Sequence, residues 1–90
     1  MIDSAGLMDQ IARTPGQIGA VVRRRRKALE LSQDALGEKI SMRQATISNL
    51  EAGDRGAKIG TLLDAMSALG LELVIRPRTR GRADEMDDLA

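Results

Sequence analysis

Apolar positions recur at helical spacing up to residue 69 and change period after Gly70. Ile18, Val21, Val22 and Leu29 follow one helical face behind Thr14 and Pro15. Threonine is a good N-cap, and proline suits the first helical position, where the N–H has no acceptor. A first helix is therefore predicted from Thr14. The run from Arg23 to Lys27 interrupts its stripe. Periodicity turns Arg25 toward the core, with its aliphatic stem over the core edge and its head in water. Ser32 caps a second, short helix with Asp34 in the first turn, where the helix dipole favours an acid. Ala35, Leu36 and Ile40 form its apolar face. Gly37 inside it costs about 1 kcal/mol relative to alanine and marks a close approach by another backbone. Ser41 and Met42 make a turn. A third helix runs from Arg43 to about Ala52, with Ala45, Ile47 and Leu50 available to the core and Gly53 as its stop. Residues 54–58 read as a loop. A fourth helix runs from about Ile59 to Leu69, with Leu62, Leu63, Met66 and Leu69 inward and Gly70 as its stop.

Beyond Gly70 the helical period gives way to alternation. Leu71, Leu73 and Ile75 fall on one face, Glu72, Val74 and Arg76 on the other, and Pro77 ends the run. This is a strand pattern. No second strand exists in the chain to pair with it, and an unpaired edge invites a copy of itself. The simplest closed arrangement is a two-fold dimer joined by an antiparallel ribbon. The chain thus divides into an arm (1–13), a helical domain (14–70), a dimerisation strand (71–76) and a tail (77–90) expected to be disordered for want of apolar residues. In the arm, Leu7, Met8 and Ile11 fit either one packed helical turn or a frayed end.

Composition narrows the chemistry. The 90 residues contain no Cys, no His and no aromatic residue. Thiolate metal sites and disulfides are excluded, and the commonest general base is missing. No carboxylate pair flanks a recognisable nucleophile, so an enzyme is not expected, and neither metal nor cofactor is implied. An aliphatic core built from Leu, Ile, Val, Met and Ala suits helices. No apolar run approaches the length of a membrane span and no secretory signal opens the chain, so a cytoplasmic protein is expected, in contact with the bacterial nucleoid when bound to DNA. The net charge is only +1. Yet the stretch from Arg13 to Arg82 holds all fourteen basic residues against seven acids, a local +7. The acids Asp84, Glu85, Asp87 and Asp88 sit in the tail. A basic centre fits a polyanion. The tail fits solubility, contact with a basic partner, or competition with DNA for the basic centre.

The two short helices joined by a tight turn have the layout of a helix-turn-helix, whose second helix enters the DNA major groove. Arg43, Gln44, Ser48 and Asn49 stand on the outward face of that second helix. Arginine reads guanine there, and glutamine or asparagine reads adenine. Gln33, at the start of the second helix, is placed to touch a phosphate. Thr46, Ser48, Arg55 and Lys58 are further candidates for phosphate contact.

The string Leu31-Ser32-Gln33, Leu36-Gly37, Ile40, Thr46-Ile47-Ser48, Glu51 and Gly53 resembles the Cro/C1-type (Xre) phage-repressor family over residues 18–69. Two positions depart from the pattern: Ser41 stands where the family usually has its turn glycine, and Gly37 where it usually has alanine. The resemblance implies a mainly α, four- to five-helix, lambda-repressor-like domain. It implies that Gln33 contacts a phosphate, that Arg43, Gln44, Ala45 and Asn49 face bases or adjacent phosphates, and that Arg26 pairs with Glu51. Within that family, the Thr14-Pro15 start, the Gln44–Asn49 recognition segment and the strand at Leu71–Ile75 are similar to the HipB-like antitoxins. That likeness implies a homodimer joined through Leu71, Leu73, Val74 and Ile75. It also implies autorepression at a palindromic double-stranded operator and a HipA-like Ser/Thr kinase toxin as partner. Two other readings stay open: a stand-alone Xre-type repressor, and a protein-binding inhibitor that has lost DNA binding.

Overall fold

The computed structural model describes residues 9–78. Its four helices are α1 (Pro15–Ala28), α2 (Gln33–Lys39), α3 (Gln44–Glu51) and α4 (Ile59–Ala68). The first two begin on side-chain caps. Thr14 Oγ1 accepts the Gln17 N–H at 3.1 Å, and Ser32 Oγ accepts the Ala35 N–H at 3.0 Å. Each bond satisfies one of the donors that a helix start leaves without a partner. Arg43 is extended (φ −75°, ψ 155°) and is the N-cap of α3, so that helix begins one residue later than the pattern suggests.

All four helices end the same way. The residue two past the cap donates its N–H to the carbonyl five residues back, and the residue between donates to the next carbonyl. In α1 these bonds are Leu31 to Arg26 (3.1 Å) and Glu30 to Lys27 (2.9 Å); in α4 they are Leu71 to Met66 (2.8 Å) and Gly70 to Ser67 (3.1 Å). Met42 to Gly37 and Asp54 to Asn49 close α2 and α3. This is the Schellman arrangement, and it places one residue per helix in the left-handed region. Gly53 and Gly70 fill that place after α3 and α4, as the sequence pattern requires. Glu30 (φ 60°) and Ser41 (φ 59°) fill it after α1 and α2, where a Cβ makes the conformation costly.

Val22, Leu36, Ile47, Leu50, Ala65 and Leu69 form the buried core, with Leu31, Ile40, Leu62, Ala68 and Leu71 packed on its edge. Helix α1 packs on α3, and α2 packs on both α3 and α4. Two glycines let backbones touch. A Cβ on Gly19 would lie 2.4 Å from the Glu51 carbonyl oxygen and 2.6 Å from that of Leu50, so α1 crosses α3 at contact distance. A Cβ on Gly37 would lie 2.5 Å from the Met42 carbonyl oxygen, which is the close approach expected there.

Several side chains depart from the pattern. Leu63 is 43% exposed, not inward. Thr61, Ala65 and Leu69, spaced by four, define the inward line of α4, and Leu63 stands two residues, about 200° of helical turn, from the first two. Leu29 has left the helix as the C-cap of α1 and is exposed. Ala45 is exposed as well, which leaves Ile47 and Leu50 to carry α3's packing. Arg25 does lie over the core edge, but its Nε donates to the Leu69 carbonyl at 2.9 Å, capping the end of α4.

Residues 71–76 form no strand in the single chain; a ladder needs a second edge, and none is present among the described residues. Leu71 is half-buried on the core, whereas Ile75 is 90% exposed. Residues 9–13 form no helical turn, and Ile11 is exposed. They are tied to α1 by Arg24, which donates to Gln10, and by Gln17 Oε1, which accepts the Arg13 N–H at 2.6 Å. Leu7, Met8 and the tail from residue 79 lie outside the described residues.

Candidate nucleic-acid interface

The α2–α3 pair presents its polar residues at the exposed start of α3. Arg43, Gln44, Ala45 and Asn49 are exposed, while Ile47 and Leu50 on the opposite face are buried. Thr46 and Ser48 are half-buried at the margins. Arg43 supplies no side-chain cap to α3, and its carbonyl accepts the Thr46 N–H at 3.0 Å. Arg55 and Lys58 are exposed in the α3–α4 connection. That connection is ordered locally: Asp54 Oδ1 accepts the Gly56 N–H at 3.1 Å, and the Asp54 carbonyl accepts from Ala57 at 3.1 Å.

Behind this surface lies a buried ion pair. Arg26 Nε donates to Glu51 Oε2 at 2.6 Å and Nη2 donates to Oε1 at 3.0 Å, a two-pronged contact that joins α1 to the end of α3. The two side chains are 8% and 4% exposed. Arg26 Nη1 also donates to the Leu31 carbonyl at 2.7 Å, which secures the turn into α2. Burial pushes the Glu51 carboxyl up. The bonds from Arg26 and Gln33, with the charges of Arg26 and Arg23, outweigh it and hold the group below the usual carboxylate range. The bond to Glu51 likewise raises Arg26.

The network continues to the surface. Gln33 Nε2 donates to Glu51 Oε1 at 3.1 Å, and Gln44 Nε2 donates to Gln33 Oε1. The structure therefore brings Arg26, Glu51, Gln33 and Gln44 into one chain of bonds, and leaves Arg43, Ala45 and Asn49 pointing outward beside its end. The Gln33–Gln44 bond is absent from the sequence reading. The available signal was the acceptor-only Glu51 beside two amides whose helices meet at one turn. Leu71, Leu73, Val74 and Ile75 lie apart from this surface, following α4. Among the described residues no group of three acidic, His or Cys side chains could hold a metal ion, and no helix is long and apolar enough to cross a membrane.

A helix pair with a polar, arginine-bearing second helix, braced from behind by an ion pair, defines a DNA-binding helix-turn-helix of the Xre type. The chain belongs to the helix-turn-helix family, whose model matches residues 22–75. It is 40% identical over 63 residues to an uncharacterized HTH-type transcriptional regulator, y4mF, of Sinorhizobium fredii, covering 70% of this chain and 83% of that one. Among solved structures it is similar to HipB in a complex with an O4 20mer, with TM-score 0.70 and 26% identity over 76% of this chain and 96% of the other. The same TM-score, identity and coverage hold for a HipA-HipB-O2-O3 complex. The protein is a DNA-binding transcriptional regulator of this type, mainly helical and folded like HipB.

Proposed function

We propose that the chain is a dimeric antitoxin that represses its own operon at a palindromic operator and binds a HipA-like kinase toxin. The observation that carries this reading is the exposed start of α3, where Arg43, Gln44, Ala45 and Asn49 stand ready for base edges. Gln33, Thr46, Ser48, Arg55 and Lys58 are assigned to phosphates. Likeness to HipB over nearly the whole of that chain supports the antitoxin assignment, and a HipA-HipB complex among the similar structures supports the toxin partner. The dimer reading is supported by Leu73, Val74 and Ile75, which are 48%, 66% and 90% exposed on a segment that forms no strand or helix in the single chain. That segment borders an open cleft of about 530 Å³ lined by Ile18, Val21, Met66 and Leu71. Pairing with a second copy would satisfy the backbone edge and cover these side chains. Such a dimer sets two recognition helices about 34 Å apart, one helical turn of DNA.

The test is fluorescence anisotropy on the duplex upstream of the gene, with scrambled DNA as control. Arg43→Ala should weaken the specific duplex by about 1–3 kcal/mol and scrambled DNA far less. Equal loss on both would reassign Arg43 to a phosphate. Co-purification with the product of a neighbouring kinase-like gene tests the toxin half. A stand-alone repressor is the second reading, favoured by the 40% identical relative, whose name is that of a transcriptional regulator alone. Failure to bind the kinase, with operator binding intact, would select it.

A further inference from the structure

Arginine stands at every second position from Arg76 to Arg82, and no acid occurs between Leu73 and Ala83. The recognition helix leaves this run without a part. Arg76 and Arg78 are exposed, and among the described residues neither makes a hydrogen bond or an ion pair. Together with Arg13 they line the cleft beside α1, whose acids are Asp9 and Glu72. The start of α1 joins this side of the molecule to the α3–α4 connection. A Cβ on Gly53 would lie 2.7 Å from the Gly16 Cα, so the end of α3 rests on the first turn of α1. Arg55 and Lys58 follow Gly53 closely and are exposed. Arg13 precedes Gly16, and its N–H is held by Gln17 Oε1 at 2.6 Å. Lys58, Arg55, Arg13, Arg76 and Arg78 therefore succeed one another around the start of α1. Asp54 is the further acid among them, and its Oδ1 accepts the Gly56 N–H.

We propose that Arg76, Arg78, Arg80 and Arg82 form a second DNA-binding element, which contacts phosphates next to those assigned to Arg55 and Lys58 and adds affinity without sequence preference. The ligand is the duplex backbone, because a cationic track continuous with residues assigned to phosphates meets a regular row of negative charge there. A protein surface is the poorer match, since Pro77, Thr79 and Gly81 between the arginines offer no aromatic or large apolar anchor. The proposal goes beyond the antitoxin reading and needs neither a toxin nor a dimer.

The test is fluorescence anisotropy of the full-length protein on the specific duplex and on scrambled DNA, from about 50 to 200 mM salt. Each phosphate neutralised steepens the fall of log K with log salt by about 0.9. Alanine at all four positions should flatten that slope by roughly 2–4 per bound chain, for two to four contacts. Both duplexes should weaken alike, so their ratio is unchanged. Lysine at all four positions should keep the slope, because a phosphate accepts a point charge. Arg80→Ala with Arg82→Ala alters no described side chain and should give about half the change; it covers the case of the fourfold variant failing to fold. A folded variant with the wild-type slope overturns the proposal, whether the arginines then serve Asp84, Glu85, Asp87 and Asp88 or a protein partner. A changed ratio between the duplexes overturns it too, by making the segment a reader of bases. In either case wild-type binding to the specific duplex leaves the role of α3 standing.

Discussion

Ser41→Gly should stabilise the protein, although glycine usually weakens a helical domain. Ser41 follows α2 at φ 59°, is exposed, and makes no side-chain bond that glycine would forfeit. A left-handed residue with a Cβ costs about 1–2 kcal/mol, and glycine returns about 0.5–1 kcal/mol of that as extra freedom in the unfolded chain. The net gain is about 0.5–1 kcal/mol, or roughly 2–8 °C in a domain of this size. The two bonds that close α2, from Met42 to Gly37 and from Ser41 to Glu38, involve only backbone and survive the change. Far-UV circular dichroism is the suitable probe, because a chain without Trp, Tyr or Phe has no fluorescence or near-ultraviolet signal to follow. Ser41→Ala is the control: it removes the hydroxyl and keeps the Cβ, so it should gain nothing. Protein concentration must be fixed, since a dimer's midpoint depends on it. Glu30→Gly, at φ 60° after α1, should gain a similar amount, and the two should add. A Ser41→Gly midpoint at or below that of Ser41→Ala would show that the turn is not strained and would refute the reasoning.

Other consequences concern packing, charge and assembly. Gly19→Ala should cost about 1–3 kcal/mol or more, because its Cβ meets the carbonyl oxygens of Leu50 and Glu51 and only a shift of α1 from α3 relieves the clash; urea denaturation reads it directly. Glu51→Ala should cost about 3–5 kcal/mol by stranding Arg26 among buried groups. Because Glu51 is held below its ordinary range, its share of stability is present above the unfolded carboxyl's pKa of about 4.3 and is lost as pH falls through the lower folded value; a Glu51→Gln protein lacking that acid-side loss is the expected contrast. Val74→Pro should give a folded monomer with weak operator binding, measured by sedimentation and anisotropy; a dimer that binds normally would place the interface elsewhere.

The helices were legible wherever a local rule governs them. Thr14 and Ser32 cap through their hydroxyls, and Gly53 and Gly70 take the left-handed place past α3 and α4, because these are contacts between residues three or four apart. The rule failed where tertiary packing overrode it. Glu30 occupies a glycine's place because Leu31 beyond it must reach the core edge and its carbonyl must meet Arg26. Gly19 carries no mark of its function in sequence: a glycine amid apolar residues reads as a weak spot, and only the crossing of α1 over α3 makes it necessary. Arg25 lies at the core edge as its period in α1 predicts, but its head meets the Leu69 carbonyl instead of water, and no periodicity within α1 reports that partner.

The candidate interface divides along the same line. The exposure of Gln44 and Asn49 on α3 follows from a period of 3.6 and the apolar positions Ile47 and Leu50, whereas the same period offered Ala45 to the core and the structure exposes it. How those residues are held does not follow from it. Gln33 and Gln44 belong to different helices, and their bond exists only because the turn after Ser41 sets the angle between α2 and α3. Glu51 adds a direction to that bond, since a carboxylate admits one donor order and a pair of amides alone admits two. At a buried site desolvation largely offsets the net attraction of an ion pair. Replacing Arg26 and Glu51 together by apolar residues of similar volume could therefore leave the fold nearly as stable. It would also remove the carboxylate oxygen that the Gln33 Nε2 group now meets, so α2 would keep its place beside α3 by packing alone.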